Sequence, residues 1–283
     1  MNFIRHTPTG TKLGRWALPV VLLVLWTGEL AAQVSFRTGR ERDRALDESI
    51  ALIRQMEYEL AAVRLNECLE LDSSFAPAYL QRGRIFLEWG AVKDALADLD
   101  RAIALDPGLG EACFYKGYAL YGRDTTGMDA LLFDRAISNG YTSAWAYYYR
   151  GLTRIRDGKD DLAIRDFSEA IDLRNDFPLA YHERAGVKRR LGDLQGALYD
   201  YRTAIGYRPD FPQAFHNMGS VRILLGDYQG ALSDFSTALD LDSTYVLAWN
   251  NRGYARYYTG DLEGRRKISP GPSNPDFPIT RQA

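Results

Sequence analysis

The sequence predicts an all-α fold in which one helix–turn–helix unit of 34 residues is repeated along the chain. The tripeptide Asp-Phe-Pro shows the period, since it stands at 176–178 and again 34 residues later at 210–212. Small residues recur at the same step and keep one phase. Dividing the chain at this step gives a degenerate repeat, five uninterrupted repeats and a partial one, numbered one to seven: 42–75, 76–109, 110–143, 144–177, 178–211, 212–245 and 246–262.

The pattern inside a repeat indicates two helices that cross closely. When each repeat is numbered from 1 to 34, positions 20 and 27 are mostly alanine. Position 8 is small throughout: Ser49, Gly83, Gly117, Gly151, Ala185, Gly219 and Gly253. Position 24 is large: Leu65, Leu99, Phe133, Phe167, Tyr201 and Phe235. A small residue lets two backbones approach, and a large apolar residue fills the space beside it.

Glycine and proline mark where the helices end. Pro107 and Pro209 stop the second helix of their repeats, and Pro178 and Pro212 open the first helix of the next. Position 15 is a helix-ending glycine in five repeats: Gly90, Gly158, Gly192, Gly226 and Gly260. Each repeat is therefore predicted as helix A, a short turn, helix B and a second short turn.

Two stretches carry a resemblance to a known family. AYLQRGRIFLEWGAVKDALADLDRAIALDP (78–107) and AWNNRGYARYYTGDL (248–262) resemble tetratricopeptide repeats, which are 34-residue helix–turn–helix units. The resemblance covers 42–262 and implies a right-handed α-solenoid of about six and a half repeats, whose A helices line an inner groove.

The chain departs from the family at position 7, which is usually leucine. Here position 7 is basic in five repeats: Arg82, Lys116, Arg150, Arg184 and Arg252. Position 23 is aspartate in four: Asp98, Asp166, Asp200 and Asp234. We predict that these residues pair and join neighbouring helices, and the spacing allows pairing within a repeat or across repeats. Solvated charges on a helix face are the alternative.

The resemblance also implies a binding site. In the family, positions 2, 5, 9 and 12 of the A helices face the groove. Transferred to this chain, they predict a partner-binding groove formed by Phe114, Tyr118, Tyr121, Trp145, Tyr148, Leu152, His182, Arg189, His216 and Tyr254, flanked by Ile155, Ile223, Asn250 and Tyr257. An aromatic patch that gives way to polar and basic groups suits an extended peptide with an apolar anchor. The alternative is that these rings pack on neighbouring helices.

The family's clamp for two carboxylates is not predicted. Asn217 and Asn251 occupy one of its positions, but its paired lysines are missing.

Metal, cofactor and disulfide sites are not predicted. His182 and His216 share position 5 of adjacent repeats, but equivalent helices lie about 10 Å apart, and zinc needs each nitrogen at about 2 Å. Cys68 and Cys113 lie about two repeats apart, too far for a disulfide, so both are predicted to be buried thiols.

No catalytic motif stands out, so the sequence predicts a protein that is not an enzyme. The glycines recur at packing and turn positions, and no nucleophile elbow or phosphate loop is present. The formal net charge of −2 favours neither nucleic acid nor an anionic membrane as a partner. GRDTTG (122–127) is the one irregular turn between helices A and B, and a tolerated repeat defect is favoured over a functional loop.

The first 32 residues have the layout of a secretory signal peptide. A basic segment with Arg5, Lys12 and Arg15 precedes eleven apolar residues, 16–26, and small residues follow at 31–32. Cleavage before Gln33 leaves a short linker, 33–41, and a net charge of −4 against −2 for the whole chain, because residues 1–32 contain three basic residues and one acidic. The predicted localisation is periplasmic or secreted; an uncleaved membrane anchor is the alternative.

Repeat seven loses its second helix in the sequence. RRKISPGPSN interrupts it, so 263–283 is predicted to be an irregular proline-rich tail. The alternative is a shift of reading frame near Arg265 that has overwritten a B helix.

The function predicted from these patterns is a non-catalytic scaffold that holds a partner's peptide or helix in the groove of the A helices. Two alternatives remain: self-assembly through the apolar C-terminal end, and a remnant of a longer repeat protein.

Overall fold

The computed structural model describes residues 17–123 and 126–260, and it describes side chains from Gln33 onward except that of Val34. The predicted tail, 263–283, lies outside the described residues. The described residues form thirteen α-helices and no strand: α1 Ala17–Arg54, α2 Tyr58–Leu71, α3 Ala76–Glu88, α4 Val92–Leu105, α5 Gly110–Leu120, α6 Met128–Ser138, α7 Ala144–Arg156, α8 Asp160–Leu173, α9 Pro178–Arg190, α10 Leu194–Tyr207, α11 Pro212–Leu224, α12 Tyr228–Leu241 and α13 Val246–Thr259.

The described residues fall into two compact units: unit 1 ends at Ala119 and unit 2 begins at Leu120. In unit 1, α1 packs on α2 and α3 packs on α4 as antiparallel hairpins. In unit 2 the hairpins are α7 with α8, α9 with α10, and α11 with α12, and α13 packs on α12. Helix–turn–helix hairpins are thus observed in both units, and the all-α class is confirmed.

The glycine turns follow the predicted period. All five glycines at position 15 adopt positive φ angles between 70° and 85°, which a residue without a Cβ reaches most easily. In repeat one the same position is Met56, whose φ is 62°. An L-residue in this left-handed conformation costs about 1–2 kcal/mol, so repeat one keeps the turn geometry without the residue that suits it.

The core follows the small and large positions. A Cβ added to Gly151 lies 2.7 Å from the ring of Phe167, and one added to Gly219 lies 2.9 Å from the ring of Phe235. These distances are shorter than van der Waals contact, so helix A approaches helix B as closely as glycine permits. The aromatic rings at position 24 are buried as a result.

Helix α1 differs from the sequence-based expectation. Residues 33–41, predicted to be a linker, lie inside α1, which runs without a break into the first helix of repeat one. The reason lies in local composition: RTGRERDRALDE contains charged helix formers and no proline to end a helix. Of the helices described, none is both long enough and apolar enough to cross a membrane.

Both cysteines are buried and neither forms a disulfide, as predicted. The Cys68 thiol donates a weak hydrogen bond to the carbonyl of Arg42 at 3.5 Å. Burial raises its pKa to about 11, which keeps it protonated and unreactive at neutral pH.

Candidate functional site: the A-helix face and the interhelical seam

In unit 2 the A helices lie side by side. Helix α7 contacts α9, α9 contacts α11, and α11 contacts α13, whereas no two B helices among the described residues approach to the same extent. Within this unit the stack therefore bends toward its A helices, and their shared surface, at positions 2, 5, 9 and 12, is the candidate groove.

The ring side chains at position 5 are mostly packed against other side chains and contribute little exposed surface to the groove. Tyr148 lies 5.2 Å from Phe177 and 5.9 Å from Phe167 between ring centroids, and only 7% of it is exposed. His182 and His216 occupy the same place in repeats five and six. Position 5 thus fills the gap between a hairpin and the turn that follows it.

The groove surface of repeats three and four is an aromatic cluster, which we define as Tyr121, Trp145, Tyr148, Tyr149 and Phe177. Trp145 meets Phe177 edge-on at 4.7 Å, and Tyr121 meets Tyr149 edge-on at 5.2 Å. Trp145 keeps 37% of its surface exposed and Tyr121 is half-buried. The cluster therefore has a buried floor and two accessible rings.

The remaining predicted groove residues divide by exposure. Leu152 and Ile155 are half-buried against the core of repeat four, and Ile223 packs against that of repeat six. Arg189, Tyr254 and Tyr257 are exposed. Asn250 is half-buried.

Two predicted groove residues lie in unit 1. Phe114 is buried, and Tyr118 is 43% exposed and stacks on Phe114 with centroids 6.5 Å apart.

Glu183 places a negative charge beside the aromatic cluster, and it was not among the residues predicted from the sequence. Burial is the main cause that raises the pKa values of Tyr121 and Tyr148, and the nearby Glu183 carboxylate raises both further. Burial raises the pKa of Tyr201 to about 12, and the positive charge of nearby Arg189 lowers it in part. An acidic group therefore lies beside the aromatic cluster, and a basic group lies one helical turn or more away along α9.

The two histidines belong to a hydrogen-bonded chain, which we call the His–Asn ladder: His182, Asn217, His216 and Asn251. The Nδ2 of Asn217 donates to the Nε2 of His182 at 2.9 Å, and the Nδ2 of Asn251 donates to the Nε2 of His216 at 2.9 Å. The Nδ1–H of His216 faces the Oδ1 of Asn217 at 3.2 Å and the hydroxyl of Tyr245 at 3.2 Å. The ladder ties three successive A helices together.

The ladder also sets the state of the histidines. Burial lowers the pKa of His216, so the ring is neutral at pH 7 with its proton on Nδ1. Its Nε2 lone pair is committed to an amide, and no group of three metal-ligating side chains occurs in the described ranges. The signal for the ladder was present in the sequence, since each His–Asn pair is 35 residues apart, one more than the period.

The predicted Arg–Asp pairs are present, and they form within a repeat. Arg184 holds Asp200 of its own repeat with two hydrogen bonds of 2.8 Å and donates to Ser168 of the preceding repeat at 2.9 Å. Arg82 does the same with Asp98 and Asn66. The arginine at position 7 therefore bridges position 23 of its own repeat and position 25 of the one before.

A second cation completes this network in three repeats. Position 11 approaches the same carboxylate as Arg154–Asp166 at 2.7 Å, Lys188–Asp200 at 2.8 Å and Arg222–Asp234 at 3.3 Å. We call the side chains at positions 7, 11 and 23, with position 25 of the preceding repeat, the seam. Asp166 and Asp200 are almost fully buried, so the prediction of solvated surface charges is excluded for these repeats.

Repeat six has an incomplete seam, because position 7 is Met218. Asp234 keeps only Arg222 nearby, outside hydrogen-bond geometry, and its buried Oδ2 accepts no hydrogen bond. Burial raises the pKa of Asp234 to about 7, which Arg222 only partly offsets. Among the described seams of unit 2, Asp234 is therefore the carboxylate with a buried oxygen that accepts no hydrogen bond.

The geometry defines an α-helical repeat protein with one face of A helices and one polar seam between hairpins. Two family models of the tetratricopeptide repeat match the chain, at residues 76–109 and 182–245. The matched residues are tetratricopeptide repeats, and the helix–turn–helix hairpins described on either side of them have the same architecture. No curated protein matches it.

Solved structures agree at the level of the fold. The chain is similar to pilF of Pseudomonas aeruginosa, with a TM-score of 0.68, 17% identity, and coverage of 77% of this chain and 99% of that one. YrrB, described as a tetratricopeptide-repeat protein with an unusual peptide-binding site, gives 0.60 at 20% identity over 66% of this chain and 96% of that one. PilW, a type IV pilus biogenesis factor, gives 0.60 at 21% identity over 72% and 94%.

Proposed function

We propose that this protein is a non-catalytic interaction scaffold, and that the A-helix face of unit 2 holds an extended segment of a partner protein. The observation that carries the proposal is the convergence of the A helices on one side, with the aromatic cluster at one end and the exposed Arg189 further along. The fold and the related structures support a role in protein interaction. The peptide-binding site named for YrrB supports the same use of this fold.

The chemistry of the face favours a particular kind of ligand. Trp145 and Tyr121 present ring edges over a buried floor, which suits an apolar or aromatic anchor. Arg189 suits a carboxylate or a backbone carbonyl further along the same peptide. The buried rings at position 5 and the ladder give a rigid base, so little order has to be gained on binding.

A peptide-display selection against the full chain tests this proposal. Enriched peptides should carry an aromatic or large apolar anchor and should bind at least about tenfold more weakly to Trp145→Ala and Arg189→Ala, because hot-spot truncations cost roughly 1–2 kcal/mol or more. Tyr199→Ala is the matched control, since Tyr199 is 67% exposed on the B helix α10. Selected peptides that lose affinity only with Tyr199→Ala, or no enrichment at all, would contradict the proposal.

We also propose that the protein is exported and processed before Gln33. The support is the basic segment, the apolar stretch and the small residues at 31–32. Mass spectrometry of the protein from the exported fraction should find Gln33 as its first residue. A mature chain that retains residues 1–32 would support the uncleaved anchor instead.

A further inference from the structure

A second candidate site lies in unit 1, in the seam of repeat two. A cleft of about 470 Å³ opens there between α2, α3 and α4. Its lining consists of Ala62, Asn66, Arg82, Phe86, Trp89, Asp94, Ala97 and Asp98. None of these residues belongs to the predicted groove.

At this cleft, repeat two departs from the seam pattern. Position 11, which supplies a second cation to the buried carboxylate in repeats four, five and six, is Phe86 in repeat two. Position 14 adds Trp89, which is 44% exposed and lies 6.0 Å from Phe86 between ring centroids. Two aromatic rings thus border the space in which the other repeats place a cation.

The charges of the cleft complement a cation. Arg82 and Asp98 neutralise each other through hydrogen bonds of 2.7 and 2.8 Å. Asp94 is exposed in the first turn of α4 and forms no ion pair with any described residue. The lining therefore carries one uncompensated negative charge beside two aromatic rings.

We propose that this cleft binds a cationic side chain, arginine above all, presented by a partner protein. The guanidinium occupies the place of the absent cation at position 11, stacks on Trp89 or Phe86, and pairs with Asp94. Arginine fits better than lysine because its planar group can stack on a ring and bond a carboxylate at the same time. The scaffold then has two recognition surfaces: the A-helix face of unit 2 binds an apolar or aromatic anchor, and this cleft binds an arginine side chain.

A titration of the full chain tests the assignment. The probe is the blocked tripeptide Ala-Arg-Ala, followed through the indole N–H signal of Trp89 by NMR, and Ala-citrulline-Ala is the neutral control of the same shape. The arginine peptide should shift the Trp89 signal to saturation, and the citrulline peptide should not. Equal shifts with both peptides would overturn the proposal, because charge would then play no part.

Three variants sharpen the result. Phe86→Arg supplies the missing internal cation and should abolish binding while the protein stays folded, and Asp94→Asn should weaken binding by about three- to tenfold. Glu88→Gln, on the exposed surface of α3 outside the cleft, should leave the affinity unchanged. Undiminished binding by folded Phe86→Arg would overturn the site.

A last variant separates a partner from the chain's own basic segment. Arg265, Arg266 and Lys267 are replaced together by glutamine in the full chain, and the affinity for the arginine peptide should stay the same. A rise in affinity would identify this segment as the occupant and contradict the assignment to a partner.

Discussion

Repeats five and six share a fold and a groove surface but differ in the seam. In repeat five, Arg184 and Lys188 both hold the buried Asp200. In repeat six, Met218 replaces the arginine, and Asp234 is left with one ion pair, to Arg222 at 3.3 Å, and an oxygen without a hydrogen bond. The A-helix face is nonetheless alike in both, with a histidine at position 5 tied to an asparagine of the next repeat.

The comparison teaches that the seam and the surface proposed for recognition occupy different sides of one helix. Positions 7 and 11 face the B helices through the seam, while positions 5, 9 and 12 face the groove or the ladder. The seam can therefore lose a member without altering the groove. Substitutions that exchange the two seams should change stability and leave peptide binding intact.

The largest effect on stability is expected when the methionine at position 7 of repeat six is introduced at position 7 of repeat five. Arg184→Met leaves Asp200 buried with only Lys188, and loss of one partner from a buried ion pair should lower the free energy of unfolding by about 2–4 kcal/mol. Chemical denaturation measures the change. Arg174→Met is the control, because Arg174 forms an exposed pair with Asp176 and should cost less than about 1 kcal/mol.

The reciprocal exchange should stabilise the protein and change its response to pH. The folded-state pKa of Asp234 is raised to about 7, whereas the unfolded value is near 3.9. The folded state thus binds the extra proton between these values, so this group makes the free energy of unfolding fall as pH rises from about 4 to about 7, by at most about 1.4 kcal/mol per pH unit.

Met218→Arg should supply the missing donor, remove that fall and add at most about 4 kcal/mol above pH 7, which is the fall summed over about three pH units. Met218→Leu is the matched control and should keep the pH dependence of the wild-type protein. Denaturant midpoints measured every half pH unit decide the matter, and parallel profiles for the arginine variant and the wild-type protein would contradict the account of the seam.

A smaller difference is expected at position 8, which is Ala185 in repeat five and Gly219 in repeat six. Gly219→Ala places a methyl group 2.9 Å from the ring of Phe235 and should cost about 1–3 kcal/mol through overpacking. Combining it with Phe235→Leu should recover part of that loss, as judged by thermal unfolding. A purely conformational effect would not be recovered by the second substitution.

The smallest effect concerns the ladder, which both repeats share. Asn251→Ala removes the donor to the buried Nε2 of His216 and should cost about 1 kcal/mol. Asn217→Ala removes contacts to both His182 and His216 and should cost about twice as much. Equal losses for the two variants would mean that the ladder does not act as one chain.

Much of the fold could be predicted from the sequence because the repeat imposes one geometry on each position. Glycine at position 15 and aromatic rings at position 24 depend only on local packing, and both predictions held. The helix over the predicted linker, 33–41, was not foreseen, because a charged stretch can be helical without an apolar face. Asp129, at a position that is elsewhere mostly alanine, was not foreseen to bind Arg156 of the next repeat, since the two residues are 27 apart and outside the period.

The candidate site could be predicted only in outline. Repeat positions indicate which residues point toward the A-helix face, but burial depends on the neighbouring side chains. Tyr148 and Trp145 are three residues apart on one helix, yet Tyr148 is covered by Phe167 and Phe177 while Trp145 stays partly open. Glu183 was missed because it stands outside positions 2, 5, 9 and 12. Only the packing of successive repeats brings its carboxylate near Tyr121 and Tyr148.

The most direct test of the central claim, that recognition lies on the A-helix face and not in the seam, is hydrogen exchange of the full chain with and without a selected peptide. We expect added protection in α7 and α9, the same pattern in Met218→Arg, and none in Trp145→Ala. Protection confined to the B helices α8, α10 and α12, or lost in Met218→Arg, would contradict the claim.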